Sequence, residues 1–309
     1  MIFKHIFGPV PSRRLGLSLG VSPIPESCCN YSCIYCQLGR TRNMTNTRSE
    51  FFSIEEIVNE FKEFTKGGGN FDVVSIVGEG EPTLYSGVAE LIAQLKKLTD
   101  KPVVVITNGS LLSLKEVREA LCNADIVLPS IDAYDEITFK KINRPHGKLI
   151  YEDIKRGLEL FSKEYKGELW LEIMLMKDIN DSEKDILEYK NLLAGIKYDR
   201  LYLNTPVRPP AEENVEEIDT EKMRYAVNTL GGISMELLVS EGFYSEVIDH
   251  KEAVMSIIKR HPMNQMEVKS FLGSRGCSEE KIENIIEDLK KDKNVAVKEY
   301  KGYNTFRSL

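Results

Sequence analysis

Between about residue 70 and residue 240, short β-rich runs alternate with stretches of helical periodicity, and this order constrains the fold more than any other feature of the chain. The runs DVVSIV (72 to 77), PVVVIT (102 to 107), DIVLPS (125 to 130), LWLEIML (169 to 175) and RLYLN (200 to 204) read as strands. SIEEIVNEFKEFTK, SGVAELIAQLKKL, SLKEVREALC, YEDIKRGLELFSKEY and SEKDILEYKNLLAG read as helices around them. LGLSLGV, near residues 15 to 21, supplies a first strand. Repeated strand-then-helix order implies parallel strands joined by right-handed crossovers. Six such units predict an α/β fold, an open or partial (β/α)6 barrel, with its chemistry at the C-terminal ends of the strands.

The pattern changes near His250. KEAVMSIIKR, NQMEVKSFL and SEEKIENIIEDLKKD read as three helices, followed by VAVKEY and YNTFRSL as a hairpin turning at Lys301-Gly302. That order predicts a winged-helix-like domain over 250–309 after a barrel over 1–249, the alternative being a helical cap on the barrel. The net charge of -7 argues against a basic coat for nucleic acid, yet residues 251 to 309 carry 12 Lys and Arg against 9 Asp and Glu. The N-terminal residues show no basic leader with an apolar run, and no segment approaches eighteen consecutive apolar residues. The expectation is a cytoplasmic protein with no membrane partner.

Four of the six cysteines fall between Cys28 and Cys36. A disulfide framework would spread them to close loops in an oxidising compartment. A structural zinc site would need a second pair of ligands. Cys122 and Cys277 are isolated, and His5, His146, His250 and His261 are scattered. Cys29, Cys33 and Cys36, spaced C-x3-C-x2-C, instead offer three thiolates to one compact four-iron cluster, leaving one iron open to a substrate or cofactor.

With Tyr35 just before the last cysteine, this motif resembles that of the radical S-adenosylmethionine (radical SAM) enzymes. The resemblance implies a 4Fe-4S cluster on Cys29, Cys33 and Cys36. It also implies S-adenosylmethionine on the open iron, an external electron donor of flavodoxin or ferredoxin type, and a 5'-deoxyadenosyl radical that takes hydrogen from the substrate. Gly78-Glu79-Gly80-Glu81-Pro82 looks like the family's Gly-Gly-Glu-Pro motif, with Glu79 at the first glycine. Gly80, Glu81 and Pro82 are therefore expected at the methionine ammonium, and Asn108 at the ribose. Ser130, Asp132 and Asn180 follow later strands, and Asn204 lies where relatives pack the adenine. Cys28 is expected to be a bystander, because two adjacent residues cannot easily reach the same cluster.

The N-terminal GPVPSRR and the stretch YCQLGRT (Tyr35 to Thr41) are similar to those of one subgroup of this family. GPVPS reads as a rigid lead into the first strand. Arg13 and Arg14, with Arg40, Arg144 and Arg208 near other loop ends, suit an anionic substrate group or, alternatively, structural ion pairs. Two enzymatic readings compete: modification of an RNA or peptide recruited by the C-terminal domain, or modification of a small anionic metabolite. A non-catalytic iron-sulfur carrier or sensor is a third. No second cysteine group follows residue 240 except the lone Cys277, which disfavours an auxiliary cluster.

Overall fold

The computed structural model describes residues 3–235, 243, 245, 247–300 and 302–309. The chain begins with an antiparallel hairpin of β1 (Ile6–Ser12) and β2 (Gly16–Val21). Two short strands, β3 (Cys28–Cys29) and β4 (Asn43–Met44), pair in parallel and bracket the cysteine loop. There follow α1 (Ile54–Lys66), β5 (Val73–Ile76), α2 (Val88–Leu98), β6 (Val103–Thr107), α3 (Lys115–Leu121) and β7 (Ile126–Pro129). Next come α4 (Glu136–Ile142), α5 (Tyr151–Glu164), β8 (Glu168–Met174), α6 (Glu183–Leu193), β9 (Arg200–Asn204), α7 (Thr220–Leu230) and β10 (Ile233–Ser234). The strands make one sheet in the order β1-β2-β5-β6-β7-β8-β9-β10, parallel from β2 onward. The fold is α/β, as expected from the alternation.

Local chemistry explains the helices. Ser53 accepts the Glu56 amide at the start of α1, and Ile57, Val58, Phe61 and Phe64 form its buried stripe. Ser182 and Asp185 cap α6 reciprocally. The strands obey a period of two. Val74, Ile76, Val103, Val105, Val127, Leu171 and Leu203 join the large core that includes the helices' apolar stripes. The alternate positions Val73, Val104, Ile126, Leu128, Trp170 and Tyr202 form a second cluster. Continuing that second parity towards the C-terminal strand ends leads to Val77, Ile106, Asn108, Ser130, Glu172, Met174 and Asn204, all of which line one cavity.

One expectation needs correction: GPVPS is not a lead but is itself strand β1. Pro9 and Pro11 are accommodated because β1 is an edge strand with β2 as its one neighbour in the sheet. The sequence reading also missed α4 and α7, which contribute Phe139, Ile142, Met223 and Ala226 to buried clusters.

The C-terminal segment comprises α8 (His250–Ile258), β11 (Met263–Asn264), α9 (Gln265–Ser274), α10 (Glu279–Lys291), β12 (Val295–Tyr300) and β13 (Tyr303–Ser308). Its three strands pair antiparallel in the order β11-β13-β12. Ile257, Phe271, Leu272, Leu289 and Phe306 centre an apolar cluster distinct from those of the large sheet. The segment also touches the rest of the chain: Tyr300 donates to the Pro206 carbonyl at 2.7 Å, Arg260 to that of Lys4 at 2.6 Å, and Arg208 to that of Pro262 at 2.8 Å. Among the described residues no helix is long and apolar enough to cross a membrane.

Candidate functional site

A cavity of about 430 Å³ opens at the C-terminal ends of the strands. Cys29, Cys33 and Cys36 line it from the loop after β2, Glu79, Gly80 and Glu81 from the loop after β5, and Arg260 and His261 from the C-terminal segment.

The cysteine loop is held by backbone bonds to the end of α4. Ser32 N donates to the Asn143 carbonyl and Ile34 N to that of Ile142, each at 2.9 Å. Thr41 Oγ1 donates to the Tyr31 carbonyl at 2.6 Å, which closes the loop on itself. Donors reach the sulfurs: Tyr31 N at 3.4 Å and Asn108 Nδ2 at 3.7 Å on Cys29, Asn143 Nδ2 at 3.4 Å on Cys33, and the Leu38 and Gly39 amides on Cys36. Burial pushes all three thiols above the ordinary cysteine range, and the nearby Glu81 carboxylate adds to this at Cys29. A bound cation would reverse that preference, since it favours the thiolate directly. Among the described residues no three His, Cys, Asp or Glu side chains converge on a single-ion position. Three separate thiols around one cavity fit a four-iron cluster, which gives each thiolate its own iron.

The Gly-Glu-Gly-Glu-Pro loop is fitted directly against the cysteine loop. Glu81 N donates to the Cys28 carbonyl at 3.0 Å, and a Cβ on Gly80 would stand 1.7 Å from that same oxygen. Only glycine permits this approach. The buried Glu81 carboxylate accepts from Thr83 N at 2.9 Å, Thr107 Oγ1 at 2.6 Å and Asn108 N at 2.7 Å, as well as from Thr83 Oγ1. Burial nevertheless outweighs these donors and raises its pKa. Pro82 begins the 3₁₀ turn Pro82–Leu84 and sets the course of the loop without lining the cavity.

Of the residues singled out from the sequence, Tyr35, Gly80, Glu81, Asn108, Ser130 and Asn204 line the cavity with the three cysteines. Asp132 does not: it sits behind the cysteine loop, accepting from Tyr35 OH, from Asn143 Nδ2 at 3.0 Å and from Met174 N at 3.1 Å. Burial pushes its pKa up to about 6. Asn180 is also displaced from its expected place. Its amide is committed to Met176 N, the Met174 carbonyl and Tyr189 OH, so it locks the turn after β8 and does not reach the cavity. Cys28 is buried in the core while its carbonyl fixes Gly80 and Glu81. Arg40 and Arg144 pair with Glu212 away from the cavity. Arg14 lines the cavity and pairs with Glu172, and Arg13 and Arg208 line it too.

Sequence reasoning missed Glu172, Asn143, Arg260 and His261. Glu172 had a signal, being the one ionisable residue inside the apolar run LWLEIML. The other three become recognisable only through tertiary contacts.

Residues 24–189 match the family model described as the Radical SAM superfamily. A UPF0026 protein of Methanocaldococcus jannaschii is 35% identical over 294 residues, covering 92% of this chain and 91% of that protein. A Brachyspira hyodysenteriae protein named GTPase Obg is 43% identical over 223 residues, 72% of this chain, which spans only 33% of that protein's length. Among solved structures, a radical SAM methyltransferase from Sphaerobacter thermophilus superposes with a TM-score of 0.54 at 17% identity, over 70% of this chain and 64% of the other. A structure of TYW1 with a lysine-pyruvate adduct bound gives 0.53 at 21% identity, over 70% and 74%. Both share the partial-barrel fold.

Proposed function

Since this chain belongs to the radical SAM superfamily, we propose that it is an enzyme acting on a small oxyanion-bearing substrate held between the cysteine loop and the C-terminal segment. Enzymes of this superfamily use a 4Fe-4S cluster and S-adenosylmethionine and draw an electron from an external reductant. When bound, these groups supply a 5'-deoxyadenosyl radical that takes hydrogen from the substrate.

The chain's own residues do the holding and orienting. Cys29, Cys33 and Cys36 ligate the cluster, with Asn108 and Asn143 donating to two of the sulfurs. Glu81 Oε1 accepts three protein hydrogen bonds, whereas Oε2 accepts one and keeps capacity for the cofactor's ammonium. Asn108, Ser130 and Asn204 offer polar groups to the nucleoside.

One observation carries the substrate reading: Arg260 and His261 line the same cavity as the three cysteines. We read residues 250–309 as a winged-helix-like domain that caps the chamber. Its own apolar cluster and its helix-helix-helix-hairpin order support that reading. Recruitment of an RNA or peptide by this domain is the second reading, favoured by its small basic surplus.

The test begins with anaerobically reconstituted protein reduced with dithionite, in which 5'-deoxyadenosine is measured. Cell extract is then divided by ultrafiltration and each fraction added back. The low-mass fraction is expected to stimulate 5'-deoxyadenosine formation. Stimulation confined to the high-mass fraction, and lost on ribonuclease or protease treatment, would transfer the assignment to the macromolecular reading.

A further inference from the structure

Arg13 and Arg208 line the cavity close enough together for the charge of Arg13 to depress the pKa of Arg208, itself already lowered by burial. Their counter-charges are sparse. Arg208 reaches Glu267 at 3.3 Å, but Glu267 is also committed to capping α9 through Asn264 N. Among the described residues Arg13 has no carboxylate partner, and its one hydrogen bond is from Nη1 to the Met235 carbonyl at 3.2 Å. The other arginines of this wall each face a carboxylate of their own, Arg14 that of Glu172 and Arg260 that of Glu79.

His261 belongs to the same group. Arg208 Nη2 lies 2.6 Å from His261 Nε2. A guanidinium can only donate, so Nε2 accepts and the ring proton sits on Nδ1. Burial, Arg208 and Arg13 all depress the histidine pKa, which keeps the ring neutral in that tautomer. Nδ1–H has no acceptor among the described residues. Three donor groups from three separate parts of the chain, namely the β1–β2 turn, the loop after β9 and the α8–β11 connection, therefore meet at one wall of the chamber. They bring a surplus of positive charge and unused N–H groups. Two neighbouring guanidinium groups that share the single carboxylate of Glu267 among the described residues are costly unless a ligand completes them.

We propose that Arg13, Arg208 and His261 form a binding site for an oxyanion, carboxylate or phosphate, carried by the substrate. The Nε–Nη2 edge of Arg13 matches such a group through paired hydrogen bonds, Arg208 adds Nη1, its Nε and Nη2 being engaged by Pro262, His261 and Glu267, and the neutral histidine adds a single donor. The proposal rests on the reading of this cavity as the substrate chamber. Because Arg208 and His261 also join β9 to the C-terminal segment, an oxyanion bound here would tie the domain cap to the barrel.

The test uses cluster-loaded protein saturated with S-adenosylmethionine, titrated calorimetrically with inorganic phosphate and, separately, acetate. At least one anion is expected to bind saturably, and Arg13→Gln to weaken it by about tenfold or more, the scale of one lost charge-assisted hydrogen bond. Arg13→Gln is the primary variant because among the described residues the one hydrogen bond it breaks is that to the Met235 carbonyl. Arg208→Gln is expected to act in the same direction, and Arg40→Gln, outside the cavity, to leave anion binding unchanged. Saturation by phosphate alone would assign a tetrahedral group, and saturation by acetate alone a planar one. The proposal is overturned if neither anion saturates or if Arg13→Gln binds the anion as wild type does. It is equally overturned if Arg13→Gln weakens S-adenosylmethionine binding by the same factor, because the oxyanion would then be the cofactor's own carboxylate. Reductive formation of 5'-deoxyadenosine, read in the same wild-type preparation, reports separately on the radical reading.

Discussion

Glu79 Oε2 lies 3.6 Å from Arg260 Nε, and the two side chains are only 5% and 6% exposed. The contact joins the loop that carries Glu81 to the C-terminal segment, at a position where the family motif has glycine. It is an incomplete pair: Glu79 Oε1 and Arg260 Nε are buried without hydrogen-bond partners, and burial raises the Glu79 pKa despite Arg260 and the more distant Lys259. Breaking a buried pair costs more than replacing it, because the survivor keeps its desolvation penalty.

Glu79→Ala should therefore lower stability by about 3 kcal/mol or more, whereas Glu79→Ala combined with Arg260→Met should recover most of that loss. Urea denaturation of the three proteins checks this. A double variant no more stable than Glu79→Ala would show that the loss does not come from an uncompensated Arg260 charge.

Replacing Cys29, Cys33 or Cys36 with Ala should abolish the cluster, whereas Cys122→Ala and Cys277→Ala should retain about one four-iron cluster per chain. Cys28→Ala should retain the cluster too, with a modest loss of stability, because its side chain is buried in the core. Iron and sulfide analysis after anaerobic reconstitution reads all six. A cluster that survives loss of Cys33 would remove the assigned ligand set.

Asn143 Nδ2 donates to Cys33 Sγ at 3.4 Å. Hydrogen bonds to the sulfurs stabilise the more negative, reduced state of a cluster. Asn143→Leu should thus make the cluster's potential more negative by roughly 20–60 mV, the equivalent of one weak hydrogen bond for a one-electron couple. An anaerobic redox titration followed by electron paramagnetic resonance gives the value. An unchanged potential would assign Asn143 to loop architecture alone.

Asp132 supplies a pH signature. Burial raises its carboxyl from the ordinary 3.8 to about 6 against three hydrogen bonds that favour the anion. The folded state binds this proton more tightly than the unfolded chain does. The stabilisation is accordingly complete below 3.8 and is lost as pH rises through about 6, a total of roughly 3 kcal/mol. Asp132→Asn should flatten the stability profile of the cluster-free protein across that window. Denaturant titrations at a series of pH values would expose the opposite slope if the hydrogen bonds outweighed burial.

Much of the site was legible because covalent order preserves local chemistry. The spacing of Cys29, Cys33 and Cys36 survives folding, since one loop carries all three to a common cavity. Period-two alternation likewise took Asn108, Ser130 and Asn204 to the chamber on one parity of their strands. The same reasoning failed at Asp132 and Asn180, where a polar residue after a strand turns back to satisfy buried backbone and neighbouring side chains. Sequence position does not distinguish that use from ligand binding.

The sequence by itself determined the strand-helix alternation apart from β1, α4 and α7, the three-thiol motif and the glycine at position 80, all of which depend on interactions within a few residues or on a repeating period. Only the tertiary structure decided that GPVPS becomes an edge strand, that Arg40 and Arg144 are spent on Glu212, and that Arg13 stands beside Arg208 and His261. Those outcomes depend on which charges meet across separations of up to about 250 residues, as for Arg13 and His261. Electrostatic pairing and desolvation are set by distances in space, for which a linear sequence carries no local signature.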